Sequence, residues 1–99
     1  MTNTTNDHGI VTLGGVSPPS REAIAALPEP RTRALISCQL QSGPATAWVD
    51  RTYEVIRSVD GCWLVDFGEG RPEPRRDWRA VLDWLWRLCP RNVELLEDP

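Results

Sequence analysis

Residues 78–89 read Trp78-Arg-Ala-Val-Leu-Asp-Trp-Leu-Trp-Arg-Leu-Cys89. At about 100° per residue, Trp78, Val81, Leu82, Leu85, Leu88 and Cys89 fall on one side of a helix. Arg79, Asp83 and Arg87 hold the opposite side, and Trp84 and Trp86 flank the apolar face, one on each edge. Asp77 stands where a cap is wanted and Pro90 closes the segment. The spacing therefore predicts a helix with an apolar arc wider than a small domain needs.

The segment before this helix predicts a β-hairpin, with strands over 46–58 and 62–68 around Val59-Asp60-Gly61. A three-residue loop places Val59 and Asp60 in a type I turn and Gly61 in the left-handed region. Val55 then faces Val65, Tyr53 faces Phe67, and Arg57 faces Trp63. One face collects Val49, Tyr53, Val55, Trp63, Val65 and Phe67. The other collects Trp48, Asp50, Thr52, Glu54, Ile56, Leu64 and Asp66. A shift by one residue would mix the two sets, so the pattern itself selects the register. Gly68-Glu-Gly-Arg-Pro-Glu-Pro74 reads as a loop.

After the helix, Asn92-Val-Glu-Leu-Leu96 predicts a last strand with Val93 and Leu95 inward. A right-handed crossover sets that strand parallel to residues 62–67, and pairing it with the 46–58 strand makes a mixed sheet. Earlier in the chain, Ser17-Pro-Pro-Ser20 opens a helix, with Ser17 as cap and Pro18 in its first turn. Ile24 and Leu27 supply its apolar side, and Pro28 and Pro30 stop it. Residues 31–42 fit two templates. Ile36, Cys38 and Leu40 alternate as in a strand, while Leu35 and Cys38 fit a helix. Pro30 before them and Gly43-Pro44 after them favour helix. Residues 1–16 read as a mobile arm, in which Ile10–Leu13 offers a short edge strand before Gly14-Gly15. The expected architecture is a single α+β domain over residues 17–97. Its small sheet, the hairpin plus the last strand, is packed by the Trp-rich helix and joined by an N-terminal helical region.

Composition narrows the function. The 99 residues suit one domain. All basic residues are arginine, which points to GC-rich bacterial or phage coding. The net charge of −3 weighs against a general polyanion binder. Cys38, Cys62 and Cys89 form no C-x-x-C pair, so the expectation is reduced, largely buried thiols in a cytoplasmic protein and no structural metal. No apolar run is long enough to span a membrane, and the first nine residues lack the marks of a signal peptide.

No catalytic signature emerges. His8 is the single histidine and lies in the expected arm. Asp50, Glu54 and Asp66 share a strand face, a pattern that serves solubility more often than cation binding or acid–base chemistry. An enzyme reading would need a cleft among these carboxylates and Cys62. Neither a P-loop nor a dinucleotide fingerprint is present, and no cofactor is expected. Arg71, Arg75, Arg76 and Arg79 surround Trp78, which suits phosphate contact and base stacking. Glu69, Glu73 and Asp77 interleave with them, so four arginines against three acids leave a local charge of only about +1.

Five tryptophans in 99 residues is a surplus over ordinary usage, so some are expected at a surface. The favoured expectation is a non-enzymatic protein-binding module. It would be a small acidic inhibitor or accessory protein of phage, mobile-element or immunity type that occludes a partner surface. Trp48, Trp84 and Trp86 would anchor the contact, and Asp50, Glu54 and Asp66 would steer a basic partner. A homodimer seam is a variant of this reading. The alternative is a nucleic-acid-binding accessory protein using Arg71, Arg75, Arg76, Trp78 and Arg79.

Overall fold

A computed structural model describes residues 4–5, 10–14, 18–43, 47–66 and 71–97. Among them, the strands β1 (Thr4–Thr5), β2 (Ile10–Leu13), β3 (Arg33–Gln41), β4 (Trp48–Arg57), β5 (Trp63–Asp66), β6 (Glu73–Arg75) and β7 (Val93–Glu97) join in one sheet. Its order is β1-β2-β7-β3-β4-β5-β6, and every neighbouring pair is antiparallel. Two helices, α1 (Arg21–Ala25) and α2 (Trp78–Arg87), complete the α+β architecture.

The hairpin register is the expected one. Val55 pairs with Val65 and Arg57 with Trp63. Ser58 and Cys62 close the turn through Ser58 N–H to the Cys62 carbonyl at 2.8 Å, and Gly61 carries φ +93°. Only glycine adopts that conformation at no steric cost, which is why the turn ends there. Phe67, the expected partner of Tyr53, lies outside the described residues.

Residues 31–42 are not a helix. They form β3, the centre of the sheet, which pairs with β4 along nine residues. The alternation of Ala34, Ile36 and Cys38 prevails because all three are buried in the core on one face of the sheet. This displaces the last strand. β3 takes the place beside β4, so β7 pairs antiparallel with β3 and β2. It is neither parallel to residues 62–67 nor a partner of β4, and the sheet is not mixed.

The expected arm gives way at Ile10–Leu13 to β2, which lies between β1 and β7 rather than at an edge. Val11 and Leu13 are buried with the rest of the core, so the packed unit begins before residue 17. The expected loop over 68–74 ends in β6, which brings Pro74 opposite Leu64. The first helix is shorter than expected and is capped by Ser20, not Ser17. Ser20 Oγ accepts from Ala23 N–H at 3.1 Å.

α2 starts where the sequence indicates, with the Asp77 carboxylate accepting from Ala80 N–H at 2.9 Å. Trp78, Val81, Leu82 and Leu85 are buried. Leu88 is the half-buried C-cap, and Cys89 leaves the apolar face at φ +55°, exposed. Trp78 Nε1 donates to the Leu27 carbonyl at 2.9 Å and ties α2 to the end of α1. The two helices pack together, and α2 also touches β5 and β6. Both lie on the face that carries Ile36, Tyr53, Val55, Trp63, Val65 and Leu95.

Candidate functional site

Strand alternation gives the sheet a second face. Following the registers, it carries Leu96, Leu35, Glu54 and Asp66 in one row, and Arg33, Ile56, Leu64 and Pro74 in the next. Toward the other end of the strands stand Glu94, Ser37 and Thr52, then Gln39 and Asp50, then Gln41 and Trp48. No described helix packs on this face. Leu35 is 39% exposed and Ile56 37% exposed, while Leu64 and Leu96 are half-buried. Carboxylates outnumber guanidinium groups here: Asp50, Glu54, Asp66 and Glu94 against Arg33 and Arg91.

The polar end of the face is held in place by its own hydrogen bonds. Gln39 Oε1 accepts from Arg91 Nε at 3.2 Å, Arg91 Nη2 at 2.8 Å and Asn92 Nδ2 at 2.7 Å. Gln39 Nε2 in turn donates to Asp50 at 3.1 Å. Arg91, so oriented, stacks 4.4 Å from the Trp48 ring. Ser37 and Thr52 hydroxyls meet at 3.3 Å, and Arg33 Nη2 donates to Glu54 at 2.6 Å.

The expected anchors do not form one patch. Trp48, Asp50, Glu54 and Asp66 share the uncovered face, as the hairpin pattern indicated. Trp84 and Trp86 sit across the sheet in the helical layer, half-buried against the core. Trp84 packs edge-on to Tyr53 with ring centroids 5.1 Å apart, and Arg75 lies 5.9 Å from its ring. The acidic face and the two helix tryptophans are therefore separate surfaces.

The arginine cluster divides as well. Trp78 is 7% exposed with its indole N–H committed to Leu27, so it offers no ring for a base. Arg75 bonds Glu73 at 3.3 Å. Arg71, Arg76 and Arg79 are exposed.

A groove of about 710 Å³ runs between the two helices and the hairpin tip, with Trp86 and Leu82 in its wall. Its charges largely answer one another: Arg57 pairs with Glu29, Arg21 lies 3.9 Å from Asp83, and Asp77 caps α2.

Cys62 sits in the hairpin turn rather than in a cleft with the strand carboxylates. Its Sγ lies 3.0 Å from Ser58 Oγ and 3.2 Å from Asp60 Oδ1. Hydrogen bonds from Ser58 and then Cys62 hold the Asp60 carboxyl below its ordinary pKa. His8 lies outside the described residues. Among the described residues no three His, Cys, Asp or Glu side chains gather as metal ligands, and no helix is long and apolar enough to cross a membrane. All three cysteines are free, but only Cys38 is buried; Cys62 is half-buried and Cys89 exposed, against the expectation of largely buried thiols.

Sequence reasoning missed Leu35, Leu96, Glu94, Gln39 and Arg91. The signal for Leu35 was present: it is the apolar residue that breaks the alternation of Ala34, Ile36 and Cys38. Comparison with protein families, curated proteins and solved structures finds no match for this chain.

Proposed function

We propose that the chain is a non-enzymatic protein-binding module that engages a basic partner through the uncovered face of its sheet. The observation that supports this reading most is the composition of that face. Exposed Leu35 and Ile56 lie beside Leu64 and Leu96, bordered by Glu54, Asp66 and Glu94, with Asp50 two rows further along the same face. Apolar area next to an excess of one charge sign is how a surface combines desolvation energy with steering of an oppositely charged partner. Trp48, pinned by Arg91, supplies an aromatic contact at the far end of the same face. Occlusion of a partner's basic surface, as by a small acidic inhibitor or accessory protein, is the action this implies.

Trp84 and Trp86 belong to the fold in this account, and the nucleic-acid reading loses its stacking residue with Trp78. The test is affinity capture from a lysate of cells that encode the chain, with and without nuclease. The wild type is compared with the Leu35→Glu/Ile56→Glu double variant, checked for folding by circular dichroism. A protein retained after nuclease and lost by the folded double variant supports the reading. Capture that disappears with nuclease, or that the double variant keeps, sinks it.

A further inference from the structure

Leu96 and Leu35 occupy one row of the uncovered face, and Ile56, Leu64 and Pro74 occupy the adjacent row. Together they make a stepped apolar band that crosses the strands from β7 to β6. Glu54, Asp66, Glu94 and Asp50 all stand on one side of this band, toward the Trp48 end of β4. Arg33 stands on the other side and donates to Glu54. The face is therefore sided.

The backbone groups beneath the band are already used in the ladders to neighbouring strands, so no added strand can bond to this face. A partner must meet it through side chains and must bring its own backbone hydrogen bonds satisfied. An extended peptide laid there would desolvate its amides without pairing them, which disfavours it as an occupant. A helix meets the requirement. Four interstrand steps of about 4.8 Å make the band about 19 Å long. A helix of about 13 residues covers that length.

We infer that the occupant of this face is an amphipathic helix of the partner, laid across the strands with its apolar stripe on the Leu96–Leu35–Ile56–Leu64 band and its basic side chains on the flank facing Glu54, Asp66 and Glu94. The inference rests on the reading of this face as the interaction surface. A second copy of the chain is a poorer occupant, because it brings the same excess of carboxylates.

The test uses three synthetic 14-residue peptides and the full chain labelled with nitrogen-15. The first is an amphipathic helix with a leucine stripe and lysines along one flank. The second replaces those lysines with glutamates. The third keeps the first composition but carries two central prolines that prevent a helix. The lysine-flanked helix is expected to bind at least tenfold more tightly than either of the others and to weaken as salt rises. Its amide shifts should centre on Leu35, Ile56, Leu64 and Leu96. Glu94→Lys, at an exposed position outside the core, should weaken it several-fold, and Leu35→Glu/Ile56→Glu should abolish it.

No binding, equal binding of the proline peptide, or shifts centred on Leu82 and Trp86 would overturn the inference. Lysate capture separates this failure from that of the parent reading. A native partner lost by Leu35→Glu/Ile56→Glu, while the lysine helix does not bind, leaves the face as the interaction surface with a different occupant. Loss of both results rejects both.

Discussion

Glu29 is an exposed side chain with a buried duty. Its carboxylate accepts the indole N–H of Trp63 at 3.1 Å and also pairs with Arg57, which lies 5.4 Å from the same indole ring. Trp63 itself is fully buried. Glu29→Ala leaves a buried donor without an acceptor and should lower unfolding stability by about 1–2 kcal/mol, read by urea denaturation. Glu29→Gln keeps an acceptor and should recover most of the loss. An unchanged midpoint in the alanine variant would show that the indole finds its acceptor elsewhere.

The thiols form a graded series. Burial pushes the Cys38 thiol up to about 11 from an ordinary value of 9.0, and burial pushes the Tyr53 hydroxyl up as well. The folded state thus holds these protons more tightly than the unfolded chain does. For Cys38 the stabilisation is complete below pH 9 and is lost as pH rises from about 9 to about 11, with Tyr53 acting in the same direction. The denaturation midpoint should fall over that window, and Cys38→Val should flatten the fall. In a disulfide-exchange assay at neutral pH, Cys89 should react first and Cys38 only on unfolding.

At the scale of elements, α2 carries two kinds of tryptophan, and both serve packing. Trp84 is half-buried and meets Tyr53 edge-on. Trp84→Ala should therefore cost about 2 kcal/mol of stability, since a large aromatic contact is lost against the core. Binding at the uncovered face should be unaffected in the folded fraction. A variant of unchanged stability with lost binding would return Trp84 to the role of anchor.

α2 and the hairpin were legible because their signals are local: a 3.6-residue repeat with an Asp cap, and a strict two-residue alternation around an Asp-Gly turn. β3 was not, because Leu35 puts an apolar residue on both strand faces and Pro30 and Gly43-Pro44 punctuate the segment like helix ends. Misreading β3 also misplaced β7, whose partners lie far off in sequence. The half of the candidate site borne by β4 and β5 could be read from the hairpin. The half borne by β3 and β7 could not, since it exists only once four strands are in order.

Across the whole molecule, the two faces of one sheet divide the work. The helical side closes the core through Ile36, Val55, Trp63, Val65 and Leu85, all fully buried. The other side is left uncovered by any described helix. The β6 edge of the sheet is blunted against further pairing, since Pro74 removes a backbone donor within the strand and Pro72 another just before it. With that edge unsuited to strand addition, the proposed association is assigned to the uncovered face rather than to β6. Carbene footprinting of the chain, free and in a lysate of cells that encode it, tests this most directly. Protection of Leu35, Ile56, Leu64, Leu96 and Trp48 is expected in the lysate, with labelling of Leu82 and Trp86 unchanged. Protection confined to Trp86 and the groove between the helices, with the sheet face still labelled, would contradict it.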